Sequence, residues 1–234
     1  RIVEYTDSAA LHTLVMTGSV NHALVINPNN PTAEIIPARQ LLDLHLQLQR
    51  RGGWLVVDEA FADVCAGNSL AAVCPRPGLV VYRSLGKFFG LAGIRLGFLL
   101  APEDVCTGMQ ALMPPWSLSH PARWIGEVAL RDRQWQSMQL ARLQQASGQW
   151  LQILRDCAPR MHFFATPLFV TGQGATDYCE ALYQAMGRRA VLLRVFESVE
   201  GCSLLRFGLP LQADREHIAQ LIREAVEECE CINS

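Results

Sequence analysis

The sequence predicts an α/β chain: a large domain built on a mostly parallel sheet, then a smaller α+β domain at the carboxyl end. Two observations carry that expectation. Short apolar runs at Ala23-Leu24-Val25-Ile26, Trp54-Leu55-Val56-Val57 and Leu79-Val80-Val81-Tyr82 each lead into a polar cluster, and Asn30, Asp58 and Lys87 in those clusters lie 28 and 29 residues apart. Each interval suits one right-handed crossover, which would set all three strand ends along one edge of a parallel sheet. After about residue 135 the pattern changes to strand pairs set between helices, as in an α+β layer. The large domain is therefore expected over residues 1–135, and a connecting helix with the small domain over 136–234.

The elements follow in order. Arg1-Ile2-Val3-Glu4-Tyr5 reads as a strand entered part-way, without an initiator methionine, so the chain is expected to be a fragment of something longer. The strand ending at Asn27 runs into Pro28-Asn29-Asn30-Pro31-Thr32, where two prolines forbid helix and hold a loop open at the strand's carboxyl end. Open α/β sheets bind ligands at such ends, although an asparagine in a proline-rich turn also serves to cap its own backbone. A helix from Pro37 to Arg51 stops at Gly52-Gly53. The next strand delivers Asp58, which could equally cap the turn that follows; Glu59 reads more simply as structural.

Leu79 to Arg83 and Leu96 to Leu100 are strands flanking a segment with four glycines, Gly86, Gly90, Gly93 and Gly97. A short helix follows Pro102. Met113-Pro114-Pro115-Trp116-Ser117 is a rigid aromatic loop, either a pocket wall or a surface turn. Leu118 to Leu130 and Gln134 to Cys157 are helical, the second being the connecting helix. The remainder reads as a strand around Leu168-Phe169-Val170, a helix from Thr176 to Met186, strands Val191 to Val195 and Ser203 to Gly208, and a helix from Ala213 to about Glu228. Arg206 lies inside the last strand, where a buried cation costs several kcal/mol unless an internal carboxylate or an external anion answers it.

Composition narrows the function classes. The chain has 234 residues, half of them hydrophobic, and a formal charge of -2 with no basic block, which argues against nucleic acid and acidic membrane surfaces as partners. No apolar window is long enough to cross a bilayer and the opening residues do not resemble a signal peptide, so a cytoplasmic protein is expected. The eight cysteines and six histidines are scattered without metal-ligand spacing, which predicts reduced core thiols and no metal site.

One residue stands apart. Of 20 basic side chains 19 are arginine, and Lys87 is the single lysine. A guanidinium stays protonated, whereas an ammonium can be desolvated, deprotonated and used as a nucleophile or Schiff-base partner. Lys87 is therefore a candidate covalent catalyst, and Ser84 and Arg95, three residues before it and eight after, can face one bound anion.

Asn30 in Asn-Pro-Asn-Asn-Pro-Thr, Asp58 in Val-Asp-Glu-Ala-Phe, Ser84-x-x-Lys87 and Arg95 in Gly-x-Arg-Leu-Gly together resemble the fold-type I pyridoxal-phosphate enzymes, the aspartate aminotransferase superfamily. Asp-Glu-Ala-Phe, Arg-Ser-Leu-x-Lys-Phe, the Met-Pro-x-Trp-Ser turn and Gly126-Glu127-Val128-Ala129-Leu130 are most similar to its threonine-phosphate decarboxylases of cobalamin biosynthesis. The resemblance implies pyridoxal 5'-phosphate as cofactor. It gives Lys87 the cofactor aldehyde and later the proton, Asp58 the pyridine nitrogen, Asn30 the ring phenolate oxygen, Ser84 and Arg95 the phosphate, and Arg206 the substrate carboxylate. It further implies a homodimer that decarboxylates L-threonine O-3-phosphate to (R)-1-amino-2-propanol phosphate.

Two departures accompany the likeness. Phe61 stands where many members carry a tyrosine, which argues against an ordinary aminotransferase. The family's upstream phosphate loop, ring-stacking aromatic and amino-terminal arm would all precede Arg1. A transaminase of the histidinol-phosphate type is the first alternative, and a non-catalytic effector-binding domain of this fold is an alternative of another class.

Overall fold

A computed structural model describes residues 1–65, 67–197 and 201–232, with side chains to residue 230, as an α/β protein of two compact units. The first comprises residues 1–30 and 34–132, the second 31–33 and 133–234.

The first unit is built on strands β1 (His22–Ile26), β2 (Trp54–Asp58), β3 (Leu79–Ser84) and β4 (Gly97–Leu100), in that spatial order. β1, β2 and β3 run parallel, and β4 is antiparallel to β3. Helices α1 (Ser8–Met16) and α2 (Ala38–Gln49) supply Leu11, Val15, Leu41, Leu44 and Leu48 to a core completed by Val25, Leu55, Val57, Leu79 and Val81 of the strands. Leucines closed off in this way each contribute about 1.5–3 kcal/mol relative to exposure. Asp7 caps α1 by accepting a hydrogen bond from the Ala10 amide at 2.8 Å, and α2 ends ahead of Gly52, whose φ of +71° suits glycine.

After β4 come α3 (Glu103–Leu112) and α4 (His120–Arg131); Ser119 caps α4, with Pro121 in its first turn. Gly126 sets how near α4 comes to the segment around Lys87. A Cβ there would stand 2.3 Å from Leu96 Cδ2 and 3.5 Å from Leu85 Cδ1.

The second unit begins with α5 (Arg133–Cys157), followed by β5 (His162–Thr166), β6 (Phe169–Ala175), α6 (Thr176–Arg188), β7 (Arg194–Glu197), β8 (Cys202–Gly208) and α7 (Arg215–Ile232). Its sheet is antiparallel in the order β5-β6-β8-β7. Alternation along β8 buries Ser203, Leu205 and Phe207 and leaves Leu204 and Arg206 half-buried on the opposite face. Leu205 and Phe207 join a core with Trp150 and Leu154 of α5, Leu182 and Met186 of α6, and Ile222 and Val226 of α7.

Three expectations are corrected. Arg1 to Tyr5 form no strand; Ile2 is almost fully exposed, and the β-branched pair that suggested a strand has no ladder to join. The strand expected at Val191 to Val195 lies at Arg194–Glu197, because it pairs with β8 in the register Arg194 to Arg206. The strand at 168–170 is the start of β6, half of a hairpin whose other half, β5, was not anticipated. None of the seven described cysteines is in a disulfide, three of them are buried, and Cys231 lies outside the described side chains. Among the described residues no helix is long and apolar enough to cross a membrane, and no group of His, Cys, Asp and Glu could hold a metal ion.

Two predictions follow from the packing. Leu44→Ala is expected to cost about 2–5 kcal/mol, read as a lowered midpoint in a denaturant titration. Gly126→Ala is expected to cost about 1–3 kcal/mol although alanine favours helix, because Leu96 must yield to the new methyl; a midpoint equal to or above that of the native chain would contradict this packing.

Candidate active site

Three parallel strands finish together. The register aligns Ile26 with Asp58 and Asp58 with Tyr82, so the loop after β1, Asp58 and the end of β3 occupy one edge of the sheet. Because β4 runs back along β3, pairing Gly97 with Ser84, Arg95 just ahead of it returns to the same edge. The edge thus collects Asn30, Asp58, Ser84, Lys87 and Arg95 from four separate places in the chain.

The loop carrying Asn30 is closed by a residue that sequence reasoning left without a role. Asn27 is buried, donates from Nδ2 to the Ile36 carbonyl at 3.0 Å and accepts the Ile36 amide on Oδ1 at 2.8 Å. The Asn29 amide bonds the Glu34 carbonyl at 2.8 Å across the same loop. Asn30 is half-buried at its tip. Its neighbour in the same Asn-Pro motif does the capping that the sequence left open for Asn30.

Asp58 ends β2 half-buried, and its Oδ1 accepts the Ala60 amide at 2.9 Å, so the carboxylate does hold its own turn. That turn places Phe61 beneath the lysine: Lys87 Nζ stands 5.3 Å from the Phe61 ring centroid, within cation–π range. Lys87 is exposed, whereas Phe61, Phe88 and Phe89 beside it are buried.

Ser84, Gly86, Ala92, Arg95 and Gly97 line a cleft of about 180 Å³. Ser84 Oγ accepts the Gly86 amide at 3.0 Å, and Arg95 Nη1 donates to the Ala92 carbonyl at 3.3 Å. Arg95 has φ 55° and ψ 44°, a left-handed conformation that costs a non-glycine residue about 1–3 kcal/mol and recurs at ligand clamps. A hydroxyl and a guanidinium on one small concavity suit a phosphate-sized anion.

Behind this edge Glu59 is fully buried. It accepts hydrogen bonds from Ser69 Oγ, from the Leu70 amide at 2.6 Å and from Arg83 Nη1 at 3.3 Å. Arg83 Nη2 binds Asp63 Oδ1. Burial pushes the Asp63 carboxyl above its ordinary pKa, opposed by the charge and hydrogen bond of Arg83.

In the second unit Arg206 is half-buried, its guanidinium 5.7 Å from the Phe169 ring and 5.9 Å from that of Phe196. Its ladder neighbours are Thr171 and Arg194. Burial, and then the like charge of Arg194, lowers the Arg206 pKa from its ordinary value. Arg194 escaped notice in the sequence. The signal was there in Arg194-Val195-Phe196, whose alternation matches Leu204-Leu205-Arg206 on the partner strand.

The sequence profile of the aminotransferase class I and II family matches residues 7–223. A threonine-phosphate decarboxylase of Pseudomonas aeruginosa is 44% identical over 197 residues, covering 82% of this chain and 56% of that protein. A histidinol-phosphate aminotransferase of Blochmanniella pennsylvanica is 37% identical over 134 residues, covering 56% of this chain and 37% of the other. The chain therefore spans little more than half the length of the first of these relatives, and less of the second. Among solved structures, histidinol-phosphate aminotransferase from Sinorhizobium meliloti in complex with pyridoxal-5'-phosphate superposes with a TM-score of 0.82 at 19% identity, covering 95% of this chain and 62% of that one. With its profile matched across most of its length and its strand ends ordered as described, this chain belongs to the aminotransferase class I and II family.

Proposed function

We propose that the protein carrying this chain is a cytoplasmic, homodimeric pyridoxal 5'-phosphate enzyme that decarboxylates L-threonine O-3-phosphate to (R)-1-amino-2-propanol phosphate, a step of cobalamin biosynthesis. The observation that carries the reading is the edge itself: the chain's single amine lies over Phe61, on the turn set by Asp58, and follows the strand whose end opens the Ser84 and Arg95 cleft. The donor set fits the cofactor, with a hydroxyl and guanidinium for its phosphate, a carboxylate for its ring nitrogen and an amine for its aldehyde. The 44% identical decarboxylase supports the choice of reaction.

When bound, pyridoxal 5'-phosphate supplies a protonated ring that takes up the electron pair left as a bond at the substrate Cα breaks. Ser84 and Arg95 hold the phosphate by charge-assisted hydrogen bonds. Asp58 would keep the proton on the ring nitrogen, and Asn30 would donate its amide to the phenolate oxygen. Lys87 Nζ would be the amine that binds the aldehyde, and its proton would be the one returned to the substrate Cα after carbon dioxide departs. Arg206 receives the substrate carboxylate. Arg194, directly opposite on β7, gives the same sheet face a second cation, which suits a substrate carrying a phosphate as well as a carboxylate.

A second reading, transamination of a phosphorylated amino compound, is supported by the 37% identical histidinol-phosphate aminotransferase. The two readings differ in which bond at Cα is broken, and Arg206, by holding the carboxylate, would bear on that choice. A non-catalytic binding domain of the same fold is a third reading, which the retained set of Asn30, Asp58, Lys87 and Arg95 argues against. Assembly with a second copy is supported by apolar side chains exposed along α3, the following loop and α4: Leu112 at 82%, Trp116 at 94% and Trp124 at 68%.

The full-length protein, given threonine phosphate, is expected to release carbon dioxide without consuming 2-oxoglutarate; stoichiometric glutamate formation would overturn the decarboxylase in favour of the transaminase. Lys87→Ala is expected to lower kcat by roughly 10²- to 10⁴-fold, the range of a positioned proton carrier, and unchanged turnover and biological activity would favour the binding-domain reading.

A further inference from the structure

We infer that Glu59, Arg83 and Asp63 form a positioning network that holds Asp58, Phe61 and Ser84 in place from behind the sheet edge. The inference rests on the reading of Asp58 and Ser84 as cofactor-binding residues given above. Each member of the network is tied to a site residue along the chain: Glu59 follows Asp58, Arg83 precedes Ser84, and Asp63 lies two residues beyond Phe61.

Strand alternation makes this arrangement two-sided. Asp58 and Ser84 share one face of the sheet, and Glu59 and Arg83 project from the other, on the side of Val57 and Val81. The Glu59 amide bonds the Tyr82 carbonyl at 2.9 Å, extending the β2 to β3 ladder one step past Asp58, and the Arg83 to Glu59 pair clasps the same two strands with side chains. The Ala62 amide bonds the Glu59 carbonyl at 3.0 Å, closing the turn that contains Phe61, and Arg83 Nη2 grips Asp63 just beyond it. One guanidinium thus reaches two carboxylates through different nitrogens, which the point charge of a lysine ammonium cannot reproduce. Buried ion pairs add little stability over a well-packed apolar alternative, so the retention of three charged groups here points to orientation. Asp63 Oδ2, buried without a hydrogen-bond partner in the structure, shows that the cluster is not arranged to satisfy every polar atom.

The experiment uses the full-length protein in four forms: native, Arg83→Lys, Leu44→Ala and Asp58→Ala. Three quantities are read in each: the pyridoxal 5'-phosphate dissociation constant, the pH midpoint of the bound cofactor's visible absorbance, and the thermal midpoint. Arg83→Lys is expected to weaken cofactor binding roughly tenfold and to move the absorbance midpoint, as loss of a supporting shell does at other sites. Leu44→Ala, on α2, is expected to lower the thermal midpoint while leaving the other two readings unchanged. The network is overturned if Arg83→Lys matches the native protein in both cofactor readings, or if Leu44→Ala perturbs them as much. Asp58→Ala separates the two levels. If it perturbs the cofactor and Arg83→Lys does not, only the network fails; if it leaves the cofactor untouched, the site reading fails and takes the network with it. Should Arg83→Lys not fold, Glu59→Gln, which keeps the shape of the side chain and an acceptor oxygen, carries the same expectations.

Discussion

Parallel pairing of β1, β2 and β3 is the constraint on which the first unit depends. Parallel neighbours need a long crossover between them, so the carboxyl ends of all three strands, with the loops that leave them, lie along one edge. What remains at the near edge is a row of termini, each free to carry whatever side chain the chemistry needs. The register Ile26 to Asp58 to Tyr82 turns three distant stretches of sequence into neighbours, and β4, by running the other way, adds the segment before Gly97 to them. Apolar packing of α1 and α2 against one face holds that register, because a slip of one residue would send Val57 and Val81 out of the core.

Much of this was legible in the sequence. The strands of the first sheet, the helix stopped by Gly52-Gly53 and the long connecting helix could be read because each has a strong period or a clear breaker. Lys87 stood out through scarcity. Spacing between polar clusters then predicted a shared edge, and the structure brings the predicted residues of the first unit to it. What escaped has physical reasons. β5 is rich in aromatics but short, and its partner is supplied by a hairpin whose turn, Pro167-Leu168, lacks the usual glycine or asparagine signal. Arg194 is an exposed cation in a four-residue edge strand, indistinguishable from solvated surface until the ladder sets it beside Arg206. Asn27 adjoins residues that drew attention to themselves, whereas Glu59, read as structural, is fully buried. Their burial is a tertiary fact, and a polar residue looks the same in a sequence whether it caps a loop or binds a ligand.

The second unit answers a different problem. An antiparallel sheet with helices on one face leaves its other face to be used, and here that face carries Arg206 between two aromatic rings. The rings give the guanidinium flat, weakly hydrated neighbours, while Arg194 opposes it electrostatically. Two like charges in ladder register are unfavourable for folding alone.

Helix α4 faces two ways. Gly126 gives up its side chain so that the helix can lean on Leu85 and Leu96, which flank the lysine segment, and Leu96 is also part of the wall of the anion cleft. Two residues to either side, Trp124 and Val128 form a ridge on the opposite surface of the same helix, turned to solvent. A rigid cylinder about 10 Å across is all that separates them. With no side chain at Gly126 the helix itself meets Leu96, so the position of α4 and that of the cleft wall are set together. The close approach of α4 to Leu85 and Leu96 is in this way set by a single absent methyl group.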